Sequence, residues 1–161
     1  MLRAQSGDRE AFDLLLAELA PLLVRYVTPV TSDPALAQDV VQETLITVVR
    51  KLAWLNDPSL FRPWAYRIAS REAFRALRKR RVDVSIEEHL GADYEQPDPW
   101  QRERVLASVE RLAPGSRAVI TLHYLEELTL AEVAAVLDLG INTVKSRLAY
   151  GLAQLRKSQK G

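Results

Sequence analysis

Arg67, Arg71, Arg75 and Arg78 recur four, four and three residues apart, with Phe74 seven residues after Arg67. On a helix that spacing lines four guanidinium groups along one face beside an aromatic ring. The chemistry it permits is recognition of a polyanion, with guanidinium groups against phosphates and a ring against a base. From Arg62 to Arg81 there are eight basic residues (Arg62, Arg67, Arg71, Arg75, Arg78, Lys79, Arg80, Arg81) and one acid, Glu72. A charge run is often only a solvated face, but this imbalance on one helix favours an anionic partner. A second candidate is LDLGINTVKSRL, residues 137–148, which reads as the turn and second helix of a helix-turn-helix. Its exposed side would carry Asn142, Thr143, Lys145, Ser146, Ala149 and Tyr150. Lys, Asn and Thr reach phosphates and base edges, whereas Ala149 offers only an apolar touch to a thymine methyl. Lys145 and Arg147 are its only basic residues, which is thin for a helix that reads duplex DNA.

Catalysis finds no comparable constellation. Ser116 and Ser146 lack a spaced His and Asp, and there is no Gly-rich phosphate loop. The chain has no cysteine and two isolated histidines, His89 and His123, so neither disulfides nor a metal site is expected, nor any cofactor. Net charge is only +1, but the charge is unevenly spread. After the basic run, residues 82–99 hold six acids (Asp83, Glu87, Glu88, Asp93, Glu95, Asp98) and no Lys or Arg, which favours a cationic partner for that stretch. No basic-then-apolar leader opens the sequence and no run of about 18 apolar residues interrupts it, so the expectation is a cytoplasmic protein without membrane insertion of its own.

Helices must position these groups. Phe12, Leu15, Leu16, Leu19, Leu22 and Leu23 form an apolar stripe on a first helix from about Asp8, which Pro21 should bend. Asp33-Pro34 is an N-cap followed by Pro at the first helical position, opening a helix to about Leu55. Asn56-Asp57-Pro58-Ser59 is a turn, and a helix from about Leu60 to Arg81 carries the arginines opposite Ala65, Ile68, Ala69, Ala76 and Leu77. Residues 82–97 lack helical period and read as a linker. Asp98-Pro99 starts another helix, with Val105, Leu106, Val109 and Leu112, which Pro114-Gly115 ends. Helices follow over about 116–127 and from Thr129, where Thr129 and Glu132 fit a capping box. Ile141, Val144, Leu148, Leu152 and Leu155 should be the buried stripe of the last helix. The fold class is all-α, with two small helical domains at 1–81 and 98–161 joined by a flexible acidic linker at 82–97.

Four stretches, GDREAFDLLL (7–16), DPALAQDVVQETL (33–45), FRPWAYRIASREAFRALRKRR (61–81) and LTLAEVAAVLDLGINTVKSRL (128–148), resemble in order and separation the extracytoplasmic-function class of bacterial sigma factors. The resemblance implies a non-enzymatic initiation subunit that binds core RNA polymerase and directs promoter recognition and DNA opening. The first domain would be region two and the second region four. Asp39, Gln42 and Glu43 match the segment that docks on the polymerase β′ subunit, with β also a partner; a solvated helix face is the plain alternative. Asn56 to Phe61 would be the loop that captures a base flipped from the minus-ten element. Asn56, Asp57 and Ser59 would supply polar groups and Phe61 or Trp64 a stacking face, though Trp64 is equally suited to the core. Arg67, Arg71, Arg75, Arg78 and Arg80 would follow the opened strand. Asn142, Thr143, Lys145, Ser146, Arg147 and Ala149 would meet the minus-thirty-five element. An anti-sigma protein is an implied partner.

The chain departs from that family at the helix-turn-helix. Asp138 stands where relatives usually have Gly, Gly140 where they have Ser or Thr, and Ala149 to Gln154 replace an Arg-rich run. Asp tolerates the left-handed conformation and Gly can serve as an N-cap, so the motif should still form. With fewer counterion-releasing contacts, the minus-thirty-five reader should be weak and depend on tethering through polymerase. Gly151 should cost about 1 kcal/mol relative to Ala, pointing to close packing or a frayed end. A polymerase-independent helix-turn-helix regulator and a sigma-like decoy that binds only proteins are the rival readings.

Overall fold

The computed structural model describes residues 2–80 and 109–158, and within them every regular element is helical. The first unit contains α1 (Leu2–Gln5), α2 (Arg9–Thr31), α3 (Pro34–Lys51) and α4 (Phe61–Lys79), with 3-10 turns at Leu52–Trp54 and Pro58–Leu60. The second contains a 3-10 turn at Val109–Arg111, then α5 (Pro114–Tyr124), α6 (Leu130–Leu137) and α7 (Ile141–Ser158). The linker 82–97 and most of the helix expected from Asp98 lie outside the described residues, as does Arg81.

Capping chemistry sets the starts. Asp8 accepts from Ala11 N at 3.0 Å, and Asp33 accepts from Leu36 N at 3.0 Å with Pro34 in the first turn. Both carboxylates satisfy helix-end N–H groups that have no partner within the helix. The apolar stripe continues beyond Leu23, and α2 runs through Pro21 and Pro29 to Thr31. Burial of Leu19, Leu23, Tyr26, Val27 and Val30 offsets the hydrogen bonds the prolines remove. By length and composition α2 could cross a membrane, but these side chains form the core of a helical body. Ser32 ends α2 in the left-handed region (φ 51°).

The expected break falls just before Pro114, and the helix expected from about 116 begins there, two residues earlier. Pro114 opens α5, where its missing N–H has no cost and its fixed φ suits the first turn. The capping box at Thr129 forms, with Glu132 accepting from Thr129 N at 2.8 Å and Thr129 Oγ1 accepting from Glu132 N at 3.2 Å. The Thr129 N–H and the Thr129 hydroxyl, which also donates to the carboxylate at 2.8 Å, hold the Glu132 carboxyl below its usual range.

The two units are not held apart. Helix α2 packs on α5 and α4 packs on α6, and one buried cluster runs from Ala4 to Leu155.

Candidate nucleic-acid and polymerase interface

On α3 the buried positions Val40, Val41, Thr44 and Val48 leave Asp39, Gln42 and Glu43 exposed on the outer face. Asp39 and Glu43 are one turn apart, and neither joins an ion pair among the described residues. Ile46 and Val49 continue that surface, 37% and 46% exposed, so acids adjoin an apolar patch.

Beyond α3 the chain turns through two short 3-10 segments. Gln5 Nε2 donates to Leu52 O at 3.0 Å and to Leu55 O at 2.7 Å, tying α1 to this loop. Asp57 accepts from Ser59 Oγ at 2.7 Å and Ser59 N at 2.9 Å, and these bonds hold its carboxyl below the usual range. Asn56, Asp57 and Ser59 are exposed, as the sequence reading requires. Of the expected stacking rings, Phe61 is buried and Trp64 half-buried. Phe61 is 7% exposed, and Trp64 packs against the core with its ring 6.2 Å from that of Phe61. Both face inward because they open α4 on the side that meets α2 and α3. Trp54, at 75%, and Leu60, at 53%, are the apolar groups this loop presents. Trp54 was legible: it follows Leu52 out of phase with the buried stripe of α3.

Along α4 the residues Phe61, Ala65, Ala69, Ala73 and Leu77 are buried, and Arg71, Arg75 and Arg78 are exposed. Arg75 pairs with Glu72 at 2.5 Å, Arg67 approaches Asp138 at 3.7 Å, and Arg80 pairs with Asp33. Phe74 is half-buried among them and faces a cavity of about 290 Å³ between the units, which Arg71, Arg78, Leu137, Arg147 and Tyr150 also line.

In the helix-turn-helix, Asp138 takes the left-handed conformation (φ 58°), as the departure from Gly demanded. Asn142 and Lys145 are exposed, Thr143 is half-buried, and Ser146 donates to Asn142 O at 2.9 Å. Two expectations are corrected. Ile141 is 40% exposed rather than buried, and Ala149 is 9% exposed rather than facing outward. The helix packs against both α5 and α6, which widens its buried stripe from Val144, Leu148, Leu152 and Leu155 to take in Ala149 and Gly151. Arg147 lies against Gly115, where a Cβ would meet its Nη1 at 3.1 Å, and so turns toward the cavity. His123 lies beside the motif, with its Nδ1 2.8 Å from Leu128 O.

A buried polar contact joins the two units, and the sequence carried no sign of it. Glu126, whose side chain is 0% exposed, accepts from Arg25 Nε and Nη2, both at 2.9 Å, and from the Tyr66 hydroxyl. Arg62 lies 3.6 Å from the same carboxylate. The bonds to Glu126 push the Arg25 pKa up, while burial, reinforced by the carboxylate, raises that of Tyr66. Arg117, largely buried, donates to Ser32 Oγ and to Glu110 O (3.0 Å), and burial lowers its pKa.

Residues 15–82 match the family model Sigma-70 region 2 and residues 109–157 match Sigma-70, region 4. The chain is 32% identical to RNA polymerase sigma-H factor of Pseudomonas aeruginosa, over 91% of this chain and 84% of that protein. It is 35% identical to ECF RNA polymerase sigma-E factor of Escherichia coli K12, over 91% and 85%. RNA polymerase sigma factor CarQ of Myxococcus xanthus is 28% identical over 98% and 94%. Among solved structures, the sigma factor RpoE from Bartonella quintana, in a co-crystal with the anti-sigma factor NepR, has the same fold, with a TM-score of 0.71, 23% identity, and coverage of 94% of this chain and 98% of that one. An all-helical pair of units with these two matches defines a promoter-directing transcription initiation factor. Within that class, the chain belongs to the extracytoplasmic-function sigma factors of the sigma-70 family.

Proposed function

We propose that this sigma factor docks on core RNA polymerase through Asp39, Gln42 and Glu43 of α3, reads the opened minus-ten element with the loop at 54–60 and the arginines of α4, and touches the minus-thirty-five element with α7. The carrying observation is that Asp39 and Glu43 stand exposed one turn apart, with no ion pair among the described residues, beside Ile46 and Val49. Two exposed carboxylates next to an apolar patch suit a basic, partly apolar partner surface such as the family's docking segment on the β′ subunit, with β as a further contact.

The minus-ten role rests on guanidinium groups following the backbone of a single strand while bases stack nearby. Trp54 replaces Phe61 and Trp64 as the stacking face in this reading, because its indole is 75% exposed, whereas Phe61 is buried and Trp64 is half-buried against the core. Asn56, Asp57 and Ser59 would meet the edge of a flipped base. Arg71, Arg75, Arg78 and Arg80 serve as phosphate contacts, joined by Arg67 when Asp138 moves away. Asn142, Thr143, Lys145 and Ser146 remain as minus-thirty-five contacts, with Arg147 and Ala149 turned inward. The protein works by binding rather than catalysis, and in the cytoplasm, where polymerase is. The proposed first domain is residues 1–81, the linker 82–97 and the second domain 98–161. An anti-sigma factor is a further expected partner, by likeness to the fold solved with NepR.

Transcription in vitro tests this, using purified core polymerase and a genomic fragment library at low and moderate salt, with Asp39→Arg, Arg75→Ala and Lys145→Ala alongside. The expected result is discrete start sites sharing two spaced motifs, abolished by the first substitution and weakened by the other two. Core binding without specific starts would replace this reading with the decoy, and no core binding would leave a polymerase-independent regulator.

A further inference from the structure

Glu126 is the only fully buried carboxylate among the ion pairs of the described residues, and every cation or hydroxyl that holds it belongs to the other unit. Arg25 comes from α2, and Arg62 and Tyr66 from α4, so two helices converge on one carboxylate. The receiving groups are fixed from behind. The Tyr66 ring packs edge-on against Tyr26 at 5.5 Å and 77°, the Tyr26 hydroxyl lies 2.7 Å from Ser70 Oγ, and Ser70 Oγ donates to Tyr66 O at 2.7 Å. A fork from arginine, a rigid hydroxyl and a second guanidinium make a preorganised carboxylate receptor.

We infer that Arg25, Arg62 and Tyr66 form a carboxylate-binding site on region two whose ligand is Glu126 of region four, and that its occupation closes the protein on itself. With Glu126 in place, α6 lies on α4, Asp138 sits at Arg67, and the cavity wall of Arg71, Phe74 and Arg78 faces Leu137, Arg147 and Tyr150. The arginine face of α4 is thus partly covered by the chain's own helix-turn-helix. The functional half of the inference rests on the assignment of that face to the minus-ten strand.

Size requires such a state to open. Elements named for positions minus ten and minus thirty-five are separated by about 25 base pairs, or roughly 85 Å at about 3.4 Å per pair. A compact chain of this length has a radius of gyration of about 15 Å, too small to touch both. A charged latch suits an interface that must part. Loss of its partners strands the buried Glu126 charge, which makes the closed state specific, whereas opening returns that carboxylate to water while Arg25 and Arg62 are already half in it.

The full chain, free of polymerase, tests this. It has no cysteine, so Leu14→Cys and Lys157→Cys, both at exposed positions of different units, provide one dye pair for distance measurement. A fluorescent single-stranded DNA oligonucleotide reports access to α4 at fixed salt. Glu126→Lys is expected to lengthen the dye separation and to tighten oligonucleotide binding by at least about tenfold, the gain when a face available a tenth of the time becomes fully available. Arg25→Glu, made at a side chain that is 46% exposed, should do the same and serves if Glu126→Lys loses helicity. The swap Arg25→Glu with Glu126→Arg should restore closure. An unchanged separation in a helical, cooperatively melting variant, or failure of the swap to reclose it, would overturn the inference. Opening with no gain in oligonucleotide affinity would keep Glu126 as the ligand of region two, and would overturn both the masking and the DNA role of α4.

Discussion

A Cβ built on Gly151 would stand 2.7 Å from Ile120 Cδ1, and Ile120 is fully buried. The glycine on the last helix is therefore a point of close approach between α7 and α5, with Leu112 Cδ1 at 3.3 Å and Ser116 Cβ at 3.5 Å behind it. Helix propensity alone would have Ala at 151 stabilise by about 1 kcal/mol. The contact reverses that sign: Gly151→Ala should destabilise by about 1–3 kcal/mol through overpacking. In an Ile120→Val background, which removes Cδ1, the same change should be neutral or favourable. Denaturant melts of the double-mutant cycle check this, and additive effects would refute steric coupling.

Phe61, Trp64 and Trp54 should separate stability from DNA contact. Phe61→Ala empties a buried site and should cost about 3–4 kcal/mol of stability. Trp54→Ala should leave the melting temperature within about a degree, because the indole is already in water. On the proposed reading it should weaken single-stranded minus-ten binding by roughly tenfold or more, since stacking on one base is worth about 1–3 kcal/mol. Thermal melts and fluorescence anisotropy on the same preparations read both effects. Equal oligonucleotide affinity in Trp54→Ala would remove Trp54 from the interface.

Acid should unlatch the helix starts. Asp8, Asp33 and Asp57 are held below the ordinary value of 3.8 by, respectively, the Ala11 N–H, the Leu36 N–H and the Ser59 hydroxyl; Glu132 is held below 4.5 by the Thr129 N–H. A carboxyl with a depressed folded pKa binds fewer protons when folded, so its stabilisation is complete above the unfolded pKa and is lost as pH falls through the folded one. Melting temperature should therefore hold from neutral pH to about 5 and fall below about 4. Asp33→Asn, which keeps a good N-cap but cannot titrate, should flatten that fall and cost little at pH 7. A melting curve series for both proteins would detect this, and identical acid profiles would exclude Asp33 as a contributor.

Asp138 has a positive φ of 58° at the end of α6. Asp138→Gly should relieve strain and be neutral or stabilising by up to about 1 kcal/mol, because its ion pair with Arg67 is exposed and long. Asp138→Val, which is β-branched, should cost about 1–2 kcal/mol. Chemical denaturation would reveal the order Gly, Asp, Val; a Gly variant less stable than the Val variant would contradict the strain argument.

The elements were legible because their causes are local. Asp33-Pro34 and Thr129 with Glu132 mark helix starts through bonds spanning three residues, and the α4 arginines share a face because of helical period alone. Period likewise separated Asp39 and Glu43 from the buried stripe of α3. Burial among several helices was less readable, since it depends on how many neighbours a face meets. Phe61 and Ala149 turned inward, and Ile141 stayed partly exposed.

What the sequence by itself determined is an all-helical chain with an arginine-lined helix, a helix-turn-helix, and the two regions of a sigma factor. Only the tertiary structure decided that the two regions pack together. That packing brings Arg25 and Glu126 into contact across 101 residues, and no propensity, cap or period acts over such a separation. A buried carboxylate finds its cations through the fold, so its partners emerge only when the helices are set against one another.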